Sequence, residues 1–84
     1  MTDKVKVDRI QTGIRIENRL VKVLKALAEY LDMTLGDLIE GIVLHAFDGK
    51  VPFSEETLAK ISEIKKIYDL ELDSGNSHNM TEEG

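Results

Sequence analysis

Apolar and polar residues alternate along residues 8–17, near the start of the chain. Ile10, Ile14 and Ile16 share one side of the alternation, whereas the other side carries arginine, glutamine and glycine. A period of two with β-branched residues on one face is typical of a half-buried β-strand. The pattern predicts a strand that begins near residue 8, preceded by a flexible basic arm over residues 1–7.

Further along the chain, apolar residues recur at spacings of three and four. This pattern predicts two amphipathic helices. The first covers about residues 18–31, with Asn18 as its expected N-cap. The second follows Thr34, and the carboxylate of Asp37 three residues later completes a capping-box pattern. Gly49 is suited to the left-handed residue just past the end of this second helix.

The rest of the chain predicts a connector and a third helix within residues 50–72. Ser54 is the expected N-cap of this helix, which covers about residues 55–69. Residues 73–84 have no periodicity and almost no apolar content, so they are predicted to form a disordered acidic tail. The strand and the first two helices make up the predicted folded domain, residues 8–49.

A single strand in so short a chain predicts association with a second copy. An unpaired strand leaves its backbone N–H and C=O groups unsatisfied, and a small monomer is marginally stable. The same strand of a second copy, related by a two-fold axis, is the simplest partner. The predicted fold is mostly α: an intertwined strand-helix-helix homodimer with an added third helix. The residues expected in its shared core are Ile10, Ile14, Ile16, Leu24, Leu38, Ile39 and Ile42.

The distribution of charge separates the two ends of the chain. The formal net charge is −5, and residues 51–84 carry three lysines and eight carboxylates. Residues 1–50 carry equal numbers of basic and acidic groups, and residues 1–20 have five basic and three acidic groups. This asymmetry is compatible with a nucleic-acid partner at the N-terminal end and a protein partner for the C-terminal third.

The sequence shows no motif for catalysis, metal binding or membrane insertion. It contains no cysteine, and neither of its two histidines has a second ligand at metal-binding spacing. No serine or threonine lies in a nucleophile motif. No apolar run approaches the roughly 20 residues that span a bilayer, and the N-terminus lacks the apolar region of a secretory signal. We therefore expect a cytoplasmic protein that is not an enzyme and uses no cofactor.

The outer face of the predicted two-stranded ribbon is polar and basic. Such a ribbon fits the major groove of DNA, where arginine pairs with guanine and glutamine pairs with adenine. That face carries Arg9, Gln11, Gly13 and Arg15, of which Arg15 and Gln11 are the candidates for these pairings. For an isolated strand, periodicity alone favours ordinary solvated residues over base contacts and leaves both interpretations open.

Residues 14–16, 20–28 and 34–39 resemble the ribbon-helix-helix family of the MetJ, Arc and CopG repressors. The resemblance covers about residues 8–48 and rests on the order and length of the elements, the alternating strand and the cap at Thr34. It implies an intertwined dimer whose antiparallel ribbon enters the major groove of double-stranded DNA.

The resemblance also implies roles for individual residues. It places the base contacts at Gln11, Gly13 and Arg15. It places the phosphate contacts at Thr34, Leu35 and Gly36, where the second helix begins, and at Lys4, Lys6 and Arg9 near the N-terminus. Helix N-termini suit phosphates because their first amides are unpaired and that end of the helix dipole is positive.

The expected function is that of a prokaryotic DNA-binding transcriptional regulator, such as a repressor. Two alternatives stay open. In the first, the chain is an antitoxin whose C-terminal segment binds a toxin, since apolar residues are interleaved with carboxylates over residues 64–72. In the second, the same fold is a protein-interaction module without DNA binding, an interpretation motivated by Gly13, Asp37 and the acidic net charge.

Overall fold

The computed structural model describes residues 4–83 and contains three α-helices. They are α1 (Asn18–Tyr30), α2 (Leu35–Phe47) and α3 (Glu55–Ile67), and a short 3-10 turn follows at Ser74–Asn76. The predicted mostly α class is confirmed. Residues 1–3 of the predicted arm and residue 84 of the predicted tail lie outside the described residues.

The helices α2 and α3 begin where the sequence predicts, because a side-chain oxygen caps each of them. Thr34 accepts a hydrogen bond from the amide of Asp37 at 3.1 Å. Ser54 accepts one from the amide of Thr57 at 3.2 Å. These bonds satisfy first-turn amides that have no acceptor within the helix, and they fix the residue at which each helix starts.

The cap of α1 differs from the prediction, which was wrong in choosing Asn18. Asn18 is the first helical residue, and the carboxylate of Glu17 accepts from the amide of Leu20 at 2.9 Å. This hydrogen bond lowers the pKa of Glu17, and the nearby Arg19 guanidinium lowers it further. A carboxylate at this position also interacts favourably with the positive end of the helix dipole.

All three helices end with a left-handed residue just after the C-cap. These residues are Asp32, Gly49 and Asp69, with φ of 56°, 68° and 53°. At the end of α2 the amide of Lys50 donates to the carbonyl of His45 at 2.8 Å, which closes a Schellman motif. The prediction for Gly49 is therefore confirmed.

The core of the described chain is small and is centred on α1. This helix lies between α2 and α3 and contacts both of them. Leu27 and Ala28 of α1 and Leu38 of α2 form the buried centre, against which Phe53 and Ile61 pack from the connector and α3. Among residues 4–83 the buried apolar side chains are Val23, Leu27, Ala28, Leu38 and Leu70. Much of the remaining apolar surface is left accessible to a partner.

The ribbon-helix-helix assignment is wrong, because residues 4–83 contain no β-strand. The N-terminal segment, residues 4–17, is neither helix nor strand. Residues 8–17 have the alternating sequence of a strand, but no other segment of this chain pairs with them. Strand preference mainly measures how well side chains fit a pleated, half-buried surface. Alternation in an unpaired and exposed segment therefore does not produce a strand.

Candidate nucleic-acid interface

The N-terminal segment and the start of α2 line one open groove of about 900 Å³. Gln11, Gly13 and Arg15 line it from the N-terminal segment, and Leu35 and Gly36 line it from α2. These residues are far apart in the sequence, and the fold brings them to one surface. Five residues expected to contact nucleic acid are therefore neighbours in the structure, even though the ribbon expected to carry the first three of them is absent from residues 4–83.

The start of α2 presents backbone amides to this surface. Thr34 lies outside the groove lining and caps the amide of Asp37, whereas the amides of Leu35 and Gly36 have no acceptor in the helix itself. No heavy atom lies within 4 Å of the position that a Cβ on Gly36 would take, so the backbone there is open to approach. Asp37 in the first turn weakens the attraction of this end for an anion.

Cations outnumber carboxylates along the chain that leads into α1. Residues 4–19 contain five basic residues, Lys4, Lys6, Arg9, Arg15 and Arg19, and two acidic ones, Asp8 and Glu17. The lysines lie outside the groove lining and are exposed. A local excess of cations is the electrostatic feature that nucleic-acid backbones recognise.

Arg9 is held by a carboxylate from α2. Its Nε and Nη2 donate to Oε2 and Oε1 of Glu40 at 2.8 and 2.9 Å. The hydrogen bond and the opposite charge raise the pKa of Arg9 and lower the pKa of Glu40. Sequence reasoning assigned Arg9 to a phosphate and missed Glu40. The pair joins the N-terminal segment to the side of α2 and offsets one of its cations.

The lowered pKa of Glu40 leads to a testable titration. We expect the Glu40 carboxyl, followed by NMR, to titrate below an ordinary glutamate and to return to the ordinary range in Arg9→Gln. A carboxyl group whose pKa is lowered in the folded state stabilises the fold at pH values above its ordinary pKa. That contribution is lost as the pH falls through the lowered pKa. Arg15→Gln, which removes an arginine from the same segment, is the control and should leave the Glu40 titration unchanged. An ordinary pKa for Glu40 in the wild type would contradict the ion pair.

Arg15 is held by a carboxylate from the far end of the chain. Its Nε donates to Oε1 of Glu82 at 3.0 Å, and its Nη2 donates to Oε2. Sequence reasoning assigned Arg15 to a base contact and did not predict this partner. The acidity of the C-terminal third was the available signal, but composition cannot specify which carboxylate meets which cation.

The residues expected in a shared core fall into two groups. Leu38 is buried within the chain, and Leu24 and Ile42 pack against the core around it, with Ile39 half-buried. Ile10 and Ile14 are 83% and 69% exposed, and Ile16 is also exposed. Leu24, Leu38 and Ile42 thus belong to the core of the chain itself. Ile39 lines the open groove instead, and the isoleucines of the N-terminal segment remain uncovered.

Other kinds of site are not found in the described part of the chain. Among residues 4–83, no three histidine, aspartate or glutamate side chains converge as a metal site would require. No described helix has the length and apolar character needed to cross a membrane. Comparisons with protein-family models, with curated proteins and with solved structures find no match.

Proposed function

We propose that this chain is a self-associating DNA-binding protein that contacts the duplex with its N-terminal segment and the first turn of α2. The observation that carries the proposal is the groove shared by Gln11, Arg15 and Gly36, beside the local excess of cations over residues 4–19. Exposed lysines and open helix amides contact phosphates, which fixes position without reading sequence. Arginine and glutamine side chains are the types that pair with base edges.

Self-association is supported by the amount of surface that the chain exposes. The accessible area is 7609 Å², whereas a folded monomer of this mass exposes about 5,000 Å². The radius of gyration is 14.4 Å, compared with about 12 Å for a folded domain of this length. The excess of about 2,600 Å² exceeds the roughly 800 Å² per partner of a standard interface. A second copy of the chain could therefore bury a full interface.

The surface that we assign to the second copy is the C-terminal half of α2. Leu44 and Phe47 are 63% and 79% exposed, Val43 is exposed beside them, and Val51 follows in the connector. The sequence of α2 is apolar nearly all round, with Asp37, Glu40 and His45 as its ionisable residues. A helix of this kind is usually covered on more than one side. We call Val43, Leu44, Phe47 and Val51 the apolar patch.

The test of the proposal is a fluorescence-anisotropy titration of a labelled duplex at two salt concentrations, about 50 and 200 mM, which span the range where phosphate contacts become visible. We expect binding at the lower concentration and a steep loss of affinity at the higher one, because bound cations release condensed counterions from the DNA. A folded protein that does not bind the duplex at low salt would overturn the proposal.

Replacement of Arg15 should weaken duplex binding selectively. We expect Arg15→Gln to lower the affinity by about fivefold or more, since a well-placed arginine contact contributes about 1–3 kcal/mol. Lys25→Gln is the control, because it removes one cation from an exposed position on α1 that does not line the groove. Its effect should stay within about twofold. Equal losses from the two variants in the same titration would show that net charge alone governs binding.

The antitoxin alternative has less support from the positions of the C-terminal apolar residues. Ile64 packs against the core, and Leu70 is buried. These side chains already pack within the chain. Ile67 is the strongly exposed apolar residue of the segment 64–72. A protein partner for this region would need to bind mainly through its carboxylates.

A further inference from the structure

The end of the chain folds back beside the residues that we propose to contact DNA. We call residues 69–83 the acidic strap. It contains five carboxylates, Asp69, Glu71, Asp73, Glu82 and Glu83, and no lysine or arginine. Its last part falls within the predicted disordered tail, and the structure places a short 3-10 turn there at Ser74–Asn76.

The near end of the strap is fixed to the helices. Leu70 is buried, and its amide donates to the carbonyl of Lys65 at 2.9 Å. The Nζ of Lys65 donates to the carbonyl of Leu72 at 3.1 Å. Arg19 of α1 donates to the carbonyl of Asp69 at 2.9 Å. Contacts with α1 and α3 therefore set the point from which the strap leaves the body of the protein.

At the far end of the strap, Glu82 occupies the guanidinium nitrogens of Arg15. The carboxylate of Glu82 accepts from two nitrogens of the guanidinium, the fork geometry with which arginine also binds phosphate. Residues 15–19 and the end of the strap line a common open groove of about 850 Å³. Glu82 also lines the neighbouring groove that Gln11 and Gly36 share. A base edge or a phosphate that uses the same nitrogens of Arg15 must therefore displace Glu82.

The contact between Glu82 and Arg15 is one that a polyanion can replace. The two side chains are 67% and 83% exposed, so water and salt reach the pair. Exposed ion pairs of this kind change an equilibrium by about fivefold at most. Because the strap is covalently attached, its carboxylate competes at a high effective concentration, on the order of millimolar. The ion pair is therefore weak enough for DNA to displace Glu82. The covalent attachment keeps Glu82 close enough to Arg15 to compete with DNA.

We infer that the acidic strap is an intramolecular competitor that occupies Arg15 through Glu82 and lowers the affinity of the protein for DNA. The inference rests on the proposed function, since it assigns a regulator to the same surface. A change that neutralises or withdraws Glu82 frees the guanidinium and strengthens DNA binding. Glu82 then has an effect that depends on Arg15, whereas Glu71, which lines neither groove, acts only through net charge.

The test compares Glu82→Gln with Glu71→Gln in the full chain, by anisotropy with the same duplex at about 50 mM salt. Glu71 is an exposed carboxylate of the same strap and lines neither groove beside Arg15, so the control removes the same charge. We expect Glu82→Gln to tighten binding about threefold to fivefold more than Glu71→Gln does. In an Arg15→Gln background the two variants should become equivalent.

The outcomes separate the inference from the proposed function. Equal affinities for the two variants, from a protein that binds the duplex, would overturn the competitor and leave DNA binding intact. A failure of every variant to bind would overturn both. The NMR signal of the Arg15 Nε–H gives a readout without DNA, and it should shift in Glu82→Gln but not in Glu71→Gln. An unchanged signal in Glu82→Gln would overturn the contact itself.

Discussion

Leu38→Ala is expected to lower the free energy of unfolding by about 2–5 kcal/mol, the range for removal of a large buried aliphatic side chain that leaves a cavity. Leu38 is 3% exposed and lies at the centre of the core with Leu27 and Ala28. A domain of this length has a total stability of about 4–13 kcal/mol. The change therefore removes a large share of the stability, because few other side chains are buried.

The measurement is urea denaturation followed by helical circular dichroism, with the midpoint and the slope fitted separately. Leu44→Ala is the matched control, since it is the same change on the same helix at an exposed position. At a concentration too low for self-association, its effect should stay within about 0.5 kcal/mol. Similar shifts for the two variants would show that the core is not centred on Leu38.

Phe47→Ser is expected to raise the dissociation constant of the self-associated form by about 30-fold or more, since a large aromatic anchor at an interface contributes about 2 kcal/mol or more. Phe47 is the most exposed member of the apolar patch and lies in the last turn of α2. Its ring makes little contact with the rest of the chain. The substitution should therefore separate the copies without unfolding the protein.

Sedimentation equilibrium over a range of protein concentrations measures this effect. Ile67→Ser is the control, because Ile67 is an apolar residue of similar exposure on α3 among lysines and glutamates. We expect Ile67→Ser to associate like the wild type. A monomeric wild type at all concentrations would contradict self-association, and equal weakening by the two variants would contradict the position of the interface.

The sequence predicted the helices well because their signals are local. Caps at Thr34 and Ser54 and a glycine past the end of α2 lie within a few residues of the bonds that they form. The prediction of Asn18 as the cap of α1 was wrong by one residue, since the side chain of the preceding Glu17 accepts the hydrogen bond instead. The apolar spacing also identified Leu38 as a core residue, whereas Ile10 and Ile14, which it assigned to the same shared core, are exposed.

The strand was predicted wrongly because a strand is not a local structure. Alternation over residues 8–17 shows which side chains share a face, but pairing requires a second segment at hydrogen-bonding distance. Residues 4–83 supply none. The family resemblance rested on the same alternation, so it carried the same error into the predicted fold.

The sequence by itself determined three helices, the N-caps of α2 and α3, and the separation of a basic N-terminal end from an acidic C-terminal third. Tertiary structure alone decided that Arg9 meets Glu40 and that Arg15 meets Glu82, across separations of 31 and 67 residues. The physical reason is that helix spacing and capping depend on neighbours within about one turn. The partner of a long charged side chain depends instead on how packing brings distant segments together.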